Sequence, residues 1–531
     1  MAVDGRANVL DKKIETAIAG DRSNQTHHFG AGSRVKPVGQ QWRDIERSRE
    51  KLLDNPSPGL SARLRRCAFW VAKTLPVFPG QKVLELGAGS GIWTEHLAAV
   101  FDGQSPLLAA AFNRDLADVA QSKKLPSTEF ICAEDIQSAF PTESFDCVVG
   151  TDILRHELWP STLEFADRCL KPGGQFLFFA RNESNPLARM RKGVSGLRKR
   201  KESDDLHQAI SVQRCVDEAI RRGFNGVEFT LSEVIPPLKG AFGHAIGLIL
   251  ERAPVTGRFS SIVSLRGAKP GSVMEQGEFP VSLATHPQLF GAVSVVVPCH
   301  NEEANIERLV GTLVGMYGAY LHEIVIVDDN STDRTAEVAA TLARDEPHIK
   351  LVKRKPPGGV GRALREGYAA ASGKYILSID CDFVAIAPEF RGLFDAVAEG
   401  FDGAIGSRFS SESALVRYPF FKILCNRGYH LLLNLLLGKK VRDISNNLKL
   451  YRAEILKELD IEEPHFAANV ETGLKPLLLN YRIREVPASW INRTADMGKS
   501  SFNLLKVGPD YLKVLIRTTW RYWRGEYRTS R

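Results

Sequence analysis

The 531-residue sequence predicts an α/β protein with two mostly parallel sheets in tandem. Three observations predict it. Short apolar runs alternate with helix-patterned stretches twice, from Val83 to about Arg252 and again from Val293 to about Trp490. One strand of the first series runs directly into a glycine-rich turn. Strands of the second series end in acidic clusters, and the carboxyl ends of parallel strands are where open α/β sheets bind ligands.

In chain order, residues 1–55 are polar and show no sustained period, which predicts a partly disordered N-terminal segment. Residues 56–254 form the first domain, with strand-like runs KVLELGAGSG, LLAAAF, FDCVVG, QFLFFA and HAIGLILE. Residues 255–290 are rich in Gly, Ser and Pro and predict an irregular linker. Residues 291–503 form the second domain, with VSVVVP, EIVIVDD, YILSIDCD and GAIGSRF. Residues 504–531 are basic and aromatic and predict an amphipathic C-terminal helix. A hydrophobic share of 44% with 25% charged residues lets both domains bury cores. The net charge of +8 favours acidic partners without choosing among them. Eight cysteines stand singly with no CxxC, which fits a reducing compartment and argues against a zinc site. The N-terminus has no apolar core of the signal-peptide kind. The longest greasy stretch, Tyr429 to Leu437, is about half of the roughly 20 residues a spanning helix needs. The expected location is therefore cytoplasmic.

The first candidate site is Val83–Leu84–Glu85–Leu86–Gly87–Ala88–Gly89–Ser90–Gly91, a buried strand and a turn whose glycines let a ligand approach the backbone. Its spacing is GxGxG, and Ile92 stands where a dinucleotide fingerprint would have its third glycine. Downstream come Glu134–Asp135–Ile136, Ser144–Phe145–Asp146–Cys147–Val148–Val149, Asp152–Ile153–Leu154–Arg155–His156 and Leu170–Lys171–Pro172–Gly173–Gly174. In this order, over about 170 residues, the segment resembles the class I S-adenosylmethionine-dependent methyltransferases. The resemblance implies that Glu85, Gly87, Ala88, Gly89 and Gly91 line the methionine end of the cofactor, and that Asp135 and Ile136 flank its adenine. One departure is plain: the second strand ends Ala110–Ala111–Phe112–Asn113, without the carboxylate that the family uses on the ribose hydroxyls. His156 is either a base or a helix-start residue satisfied by backbone. The run Arg189 to Lys201 carries seven basic residues in thirteen, either a solvated loop or a cover that attracts a phosphorylated or lipid-bound substrate. Without interleaved aromatics it does not indicate nucleic acid.

The second site rests on three clusters. Val293–Val297 leads to Pro298–Cys299–His300–Asn301–Glu302–Glu303, Ile324–Val327 to Asp328–Asp329–Asn330–Ser331–Thr332–Asp333, and Tyr375–Ile379 to Asp380–Cys381–Asp382. Two carboxylates at i and i+2 where a strand stops both reach one site, and a divalent cation bridging a diphosphate suits them. With Gly358–Gly359–Val360–Gly361, IGSRF, DISNNLKLYR and Arg484–Glu485–Val486–Pro487, about 200 residues resemble the family 2 glycosyltransferases, closest to the dolichyl- or polyprenyl-phosphate mannose and glucose synthase branch. The fold class implied is α/β, two Rossmann-like domains in tandem: a class I methyltransferase fold, then a GT-A fold.

By this resemblance Pro298, His300, Glu302, Asp328 and Asp329 hold the nucleotide sugar together with Asp380, Cys381 and Asp382. Asp380 and Asp382 take Mn2+ or Mg2+, Arg408 binds phosphate, and Arg493 and Lys499 close over the diphosphate or acceptor. Lys422 and Asn426 stand where the branch binds the acceptor phosphate. Val384 replaces a glutamine that often helps hold the metal. The resemblance also implies inversion at the anomeric carbon. A phosphate acceptor is already an anion and needs no strong base. Asp443 is held in reserve as a base for a sugar-hydroxyl acceptor, or else caps the segment that follows it.

Two segments predict contact with an anionic membrane surface: Leu415 to Leu437, and Leu504 to Arg531, whose amphipathic pattern is broken at Gly508–Pro509. Packing on the transferase domain or across a homodimer is the other reading of the terminal helix. The expected protein is a bifunctional enzyme, peripheral at the inner face of the membrane, that moves a hexose from a nucleotide sugar to a polyprenyl phosphate or glycolipid acceptor and methylates a related substrate. Its rival is a transferase acting on an oligosaccharide hydroxyl, with the first domain a binding or docking module. No nucleic acid is expected as partner.

Overall fold

The computed structural model describes residues 38–53, 58–75, 77–133, 139–152, 158–182, 185–186, 212–232, 250, 259–271, 282–493 and 504–527. The first sheet comprises β1 (Val83–Leu86), β2 (Leu107–Ala111), β3 (Thr128–Cys132), β4 (Phe145–Thr151), β5 (Leu170–Arg181), β6 (Asn225–Ser232) and β7 (Ile262–Ala268). Its order is β3-β2-β1-β4-β5-β7-β6, with β7 antiparallel to both neighbours and the other paired strands parallel. Alternate residues feed two cores, as a sheet covered on both faces requires. Leu84, Leu86, Val148, Phe176 and Phe178 enter one core, and Val83, Cys147, Val149, Leu177 and Phe179 the other. The helices are α1 (Val38–Leu53), α2 (Pro58–Thr74), α3 (Ile92–Phe101), α4 (Arg114–Gln121), α5 (Trp159–Cys169) and α6 (Val212–Arg221).

The second sheet holds β8 (Val293–Cys299), β9 (Leu321–Asp328), β10 (Ile349–Lys353), β11 (Tyr375–Ser378), β12 (Gly403–Ser407), β14 (Lys449–Arg452) and β15 (Ile483–Pro487). The order is β10-β9-β8-β11-β14-β12-β15, and β14 is antiparallel to β11 and β12. Short β13 (Leu415–Val416) and β16 (Trp490–Ile491) pair separately. Helices α7 (Ile306–Tyr317), α8 (Thr335–Asp345), α9 (Val360–Ala370), α10 (Arg391–Ala398), α11 (Phe420–Leu437), α12 (Ala453–Glu458), α13 (Ala468–Leu478) and α14 (Leu504–Trp523) complete this part. Both halves are thus Rossmann-like α/β domains, as the sequence predicts.

Three expectations change. Residues 38–53, placed in a polar segment without period, form α1, which buries Trp42, Ile45, Glu46, Arg49, Glu50 and Leu53. That spacing is a helical stripe, but three of its six members are ionisable, so hydrophobic periodicity does not reveal it. The stretch 255–290, expected to be irregular, contains β7, where Gly267 leaves room for Phe176: a Cβ there would lie 2.7 Å from the ring. The same stretch supplies Leu283 and Leu289 to the second core. The C-terminal helix is not interrupted at Gly508–Pro509. Its Val514 and Leu515 are buried beside Leu433 of α11 and Leu474 of α13, while Leu512, Ile516, Trp520 and Trp523 are exposed. No helix among the described residues is long and apolar enough to cross a membrane.

Candidate functional site

Parallel pairing of β8 with β9 and β11 brings three strand ends together, with Cys299 opposite Asp328 and Val296 opposite Ser378. A cavity of about 780 Å³ opens there, lined by Pro298, His300, Glu302, Asp329, Asp380, Cys381, Asp382, Arg408, Lys422, Asn426 and Arg493. Its lining also includes Tyr418 and Trp490 and, from α14, Val507, Pro509, Tyr511 and Leu512, so the cavity combines carboxylates with apolar side chains. Asp328 is not in this lining; it is buried, and Ser331 N donates to its Oδ1 at 3.3 Å. Lys499 lies outside the described residues.

Each carboxylate has a defined partner. Asn447 Nδ2 donates to Asp380 Oδ1 (3.0 Å). Burial and the adjacent Asp382 push the Asp380 carboxyl up to about 7. Arg493 Nε donates to Asp382 Oδ2 (2.7 Å) and its terminal nitrogen to Glu302 Oε1 (2.5 Å), so a guanidinium bridges the two acids. Burial alone would depress Arg493, but Asp382 and Glu302 hold its pKa above the ordinary value. Asp329 Oδ2 accepts Gly359 N (2.6 Å), its Oδ1 pairs with Arg354, and His300 Nδ1 lies 2.9 Å from its carbonyl oxygen. The Asp380 and Asp382 oxygens are hard donors suited to Mg2+ or Mn2+, ions commonly held by one or two carboxylates plus substrate phosphates. Among the described residues no three His, Cys, Asp or Glu converge as a metal cluster.

Arg408 follows β12 and is held from behind. Its Nε donates to Asp443 Oδ2 (2.6 Å) and a terminal nitrogen to Asp443 Oδ1 (2.9 Å) and Ser445 Oγ (2.8 Å). Asn426 Nδ2 also donates to Ser445 Oγ (3.0 Å), which ties the acceptor pair on α11 to the same network. Asp443 has no exposed surface and does not line the cavity. Burial would raise its pKa, but Arg408 overrides this and holds the carboxyl far below the usual range. A carboxylate so placed is a poor base, which corrects its reserve role. Ser445, Asn447, Arg354 and Trp490 escaped the sequence reading. Asn447 and Ser445 sit in the quoted DISNN segment, where a side chain two residues before a central strand could have been suspected of facing the site.

In the first sheet the turn after β1 has Gly87, Gly89 and Gly91 at φ of 71°, 58° and 77°. Ala88 N donates to Ala110 O (2.8 Å) and anchors the turn to β2. Glu85 is completely buried, and burial raises its pKa to about 7 against the opposing side-chain hydrogen bond of Thr94. The space above Gly89 is filled: a Cβ there would lie 2.0 Å from Glu50 Oε1 of α1. Glu50 therefore covers the turn on which the resemblance seats the methionine end of the cofactor. Asp135, Ile136, His156, HAIGLILE but for Leu250, and the basic run 189–201 lie outside the described residues.

Fold and site define an α/β protein with a glycine-rich turn on one sheet and a carboxylate-lined cavity on the other. Residues 294–460 match the model of glycosyl transferase family 2 and residues 50–228 that of a methyltransferase domain. It is 30% identical over 237 residues to the dolichol-phosphate mannosyltransferase of Pyrococcus furiosus, covering 44% of this chain and 65% of that one. To the polyprenol monophosphomannose synthase of Mycolicibacterium smegmatis it is 26% identical over 219 residues, 39% of this chain and 80% of the relative. A solved structure of glucosyl-3-phosphoglycerate synthase from Mycobacterium tuberculosis, holding Mn2+, UDP-glucose and phosphoglyceric acid, aligns at TM-score 0.36 with 21% identity, over 46% of this chain and 85% of that one.

Proposed function

We propose that the second domain transfers a hexose from a nucleotide sugar to a polyprenyl-phosphate-like acceptor, and that the first uses S-adenosylmethionine to methylate a related substrate. The observation that carries the first part is the mixed lining of the cavity, strand-end carboxylates together with residues of α11 and apolar residues of α14. The relatives named for dolichol phosphate and polyprenol support the same acceptor class.

Asp380 and Asp382 would hold a divalent cation, which when bound neutralises charge on the departing nucleotide diphosphate. His300, Glu302 and Asp329 fix the nucleotide end of the cavity. Arg408, braced by Asp443, and Lys422 present positive charge to the acceptor phosphate, with Asn426 as a hydrogen-bonding partner. An anionic acceptor needs positioning rather than proton removal, which accords with an Asp443 unsuited to act as base. A hydroxyl acceptor would require a base that this arrangement does not offer at Asp443. The exposed Phe421, Leu424, Leu431 and Leu435 of α11 beside Ile516, Trp520 and Trp523 of α14 support contact with a lipid surface.

The test is a donor screen with purified protein, manganese and short polyprenyl phosphates. Asp382→Ala should abolish metal-dependent transfer, and retained turnover would refute the metal assignment.

A further inference from the structure

Backbone donors of the glycine-rich turn and of the residues that follow β2 are taken by carboxylates of α1. Gly89 N donates to Glu46 Oε1 (3.0 Å). Phe112 N donates to both Glu46 oxygens (3.0 and 2.9 Å), and Asn113 donates to Glu46 Oε2 through N and Nδ2 (2.8 Å each). Ser90 donates to Glu50 through N (2.9 Å) and Oγ (2.8 Å). Between them Arg49 donates to Gly87 O in the turn and to Thr151 O at the end of β4 (3.2 Å). Trp42 anchors the helix, its ring 4.9 Å from that of Phe112. Phe112 and Asn113 close β2, the strand that ends without a carboxylate of its own.

A glycine-rich turn opening a helix is an anion site, and backbone N–H groups there suit a ligand carboxylate or hydroxyls. Glu46 and Glu50 are carboxylates in that position. Resting on the reading of the first domain as one that binds S-adenosylmethionine, we propose that α1 is an internal occupant of the cofactor site: Glu46 takes the donors at the end of β2 and Glu50 those of the turn, and the cofactor enters only when α1 is displaced. Methyl transfer by this chain is then gated by its own α1 helix. The gate has a built-in affinity cost, because a site open in about one molecule in a hundred has an apparent Kd about a hundredfold above its intrinsic value.

The experiment is calorimetry of the full chain with S-adenosylhomocysteine, comparing wild type, Glu46→Gln with Glu50→Gln, and Trp42→Ala, which loosens α1 without touching the turn. Both variants should bind at least about tenfold more tightly than wild type. In parallel, amide exchange of wild type should show Gly89, Ser90, Phe112 and Asn113 protected, and ligand should deprotect α1. Equal binding in all three proteins would overturn the gate while leaving the cofactor reading intact. Weaker binding in the glutamine variant would also overturn it, making Glu46 a ligand of the cofactor instead. Fast exchange of the four amides in the wild type would show that α1 does not occupy the turn. Absence of binding in all three would overturn the cofactor reading, and the gate with it.

Discussion

The sharpest test of the transferase site is Asp443→Asn. The wild-type carboxylate is wholly buried and accepts from Arg408 N (3.1 Å), Nε (2.6 Å) and a terminal nitrogen (2.9 Å), and from Ser445 Oγ (3.1 Å). Asparagine keeps the shape but removes the charge and turns an amide donor toward the donors of Arg408. Breaking a buried pair from one side costs about 3–5 kcal/mol, because the surviving charge stays buried. That is a large part of the roughly 5–15 kcal/mol that holds a domain folded. Urea titrations of wild type, Asp443→Asn, Arg408→Met and the double variant form a cycle, which should return a coupling of about 2 kcal/mol or more. In turnover, a loosened Arg408 should raise KM for the acceptor phosphate while leaving the acid limb of the pH profile unmoved. A variant within about 1 kcal/mol of wild type in stability that loses turnover and the acid limb together would refute the bracing role and restore Asp443 as a base.

Three further outcomes follow from the geometry. Gly361→Ala would place a Cβ 2.1 Å from Glu463 O and 2.8 Å from Ala468 Cβ; a loss of about 1–3 kcal/mol is expected in denaturation, and an unchanged midpoint would refute the close approach. Burial opposes the charge of Glu323, but Lys350, Ser372 and Ser294 hold its pKa at about 2 against 4.5 unfolded. Its stabilisation should therefore be complete above pH 4.5 and lost as pH falls toward about 2, and Glu323→Gln should flatten stability in that window; an unaltered slope would refute it. Deleting residues 504–531 should release the protein from anionic vesicles, and Trp520→Ala with Trp523→Ala should weaken binding in part; undiminished binding would move the lipid contact elsewhere.

What the sequence discloses depends on where charge is expected to lie. The strand-end acids Asp329, Asp380 and Asp382 were legible because each follows an apolar run of strand length, so local pattern and site coincide. The bracing of Arg408 by Asp443 was not, since the two stand 35 residues apart and neither position signals the contact. Strand β7 was hidden by its glycine- and serine-rich surroundings, although Ile262, Val263 and Leu265 are buried. Helix α1 was missed for a deeper reason. Its buried stripe runs Trp42, Ile45, Glu46, Arg49, Glu50, Leu53, and reading burial from hydrophobicity assigns the three ionisable members to solvent. They are buried because the glycine-rich turn and the end of β2 present unpaired N–H and C=O groups, and such groups require partners whether or not a ligand is bound. A ligand-binding turn thus creates its own demand for polar side chains, and a polar helix preceding such a turn is a candidate to meet it. A related demand is met at Asp382 and Glu302, two acids that Arg493 bridges.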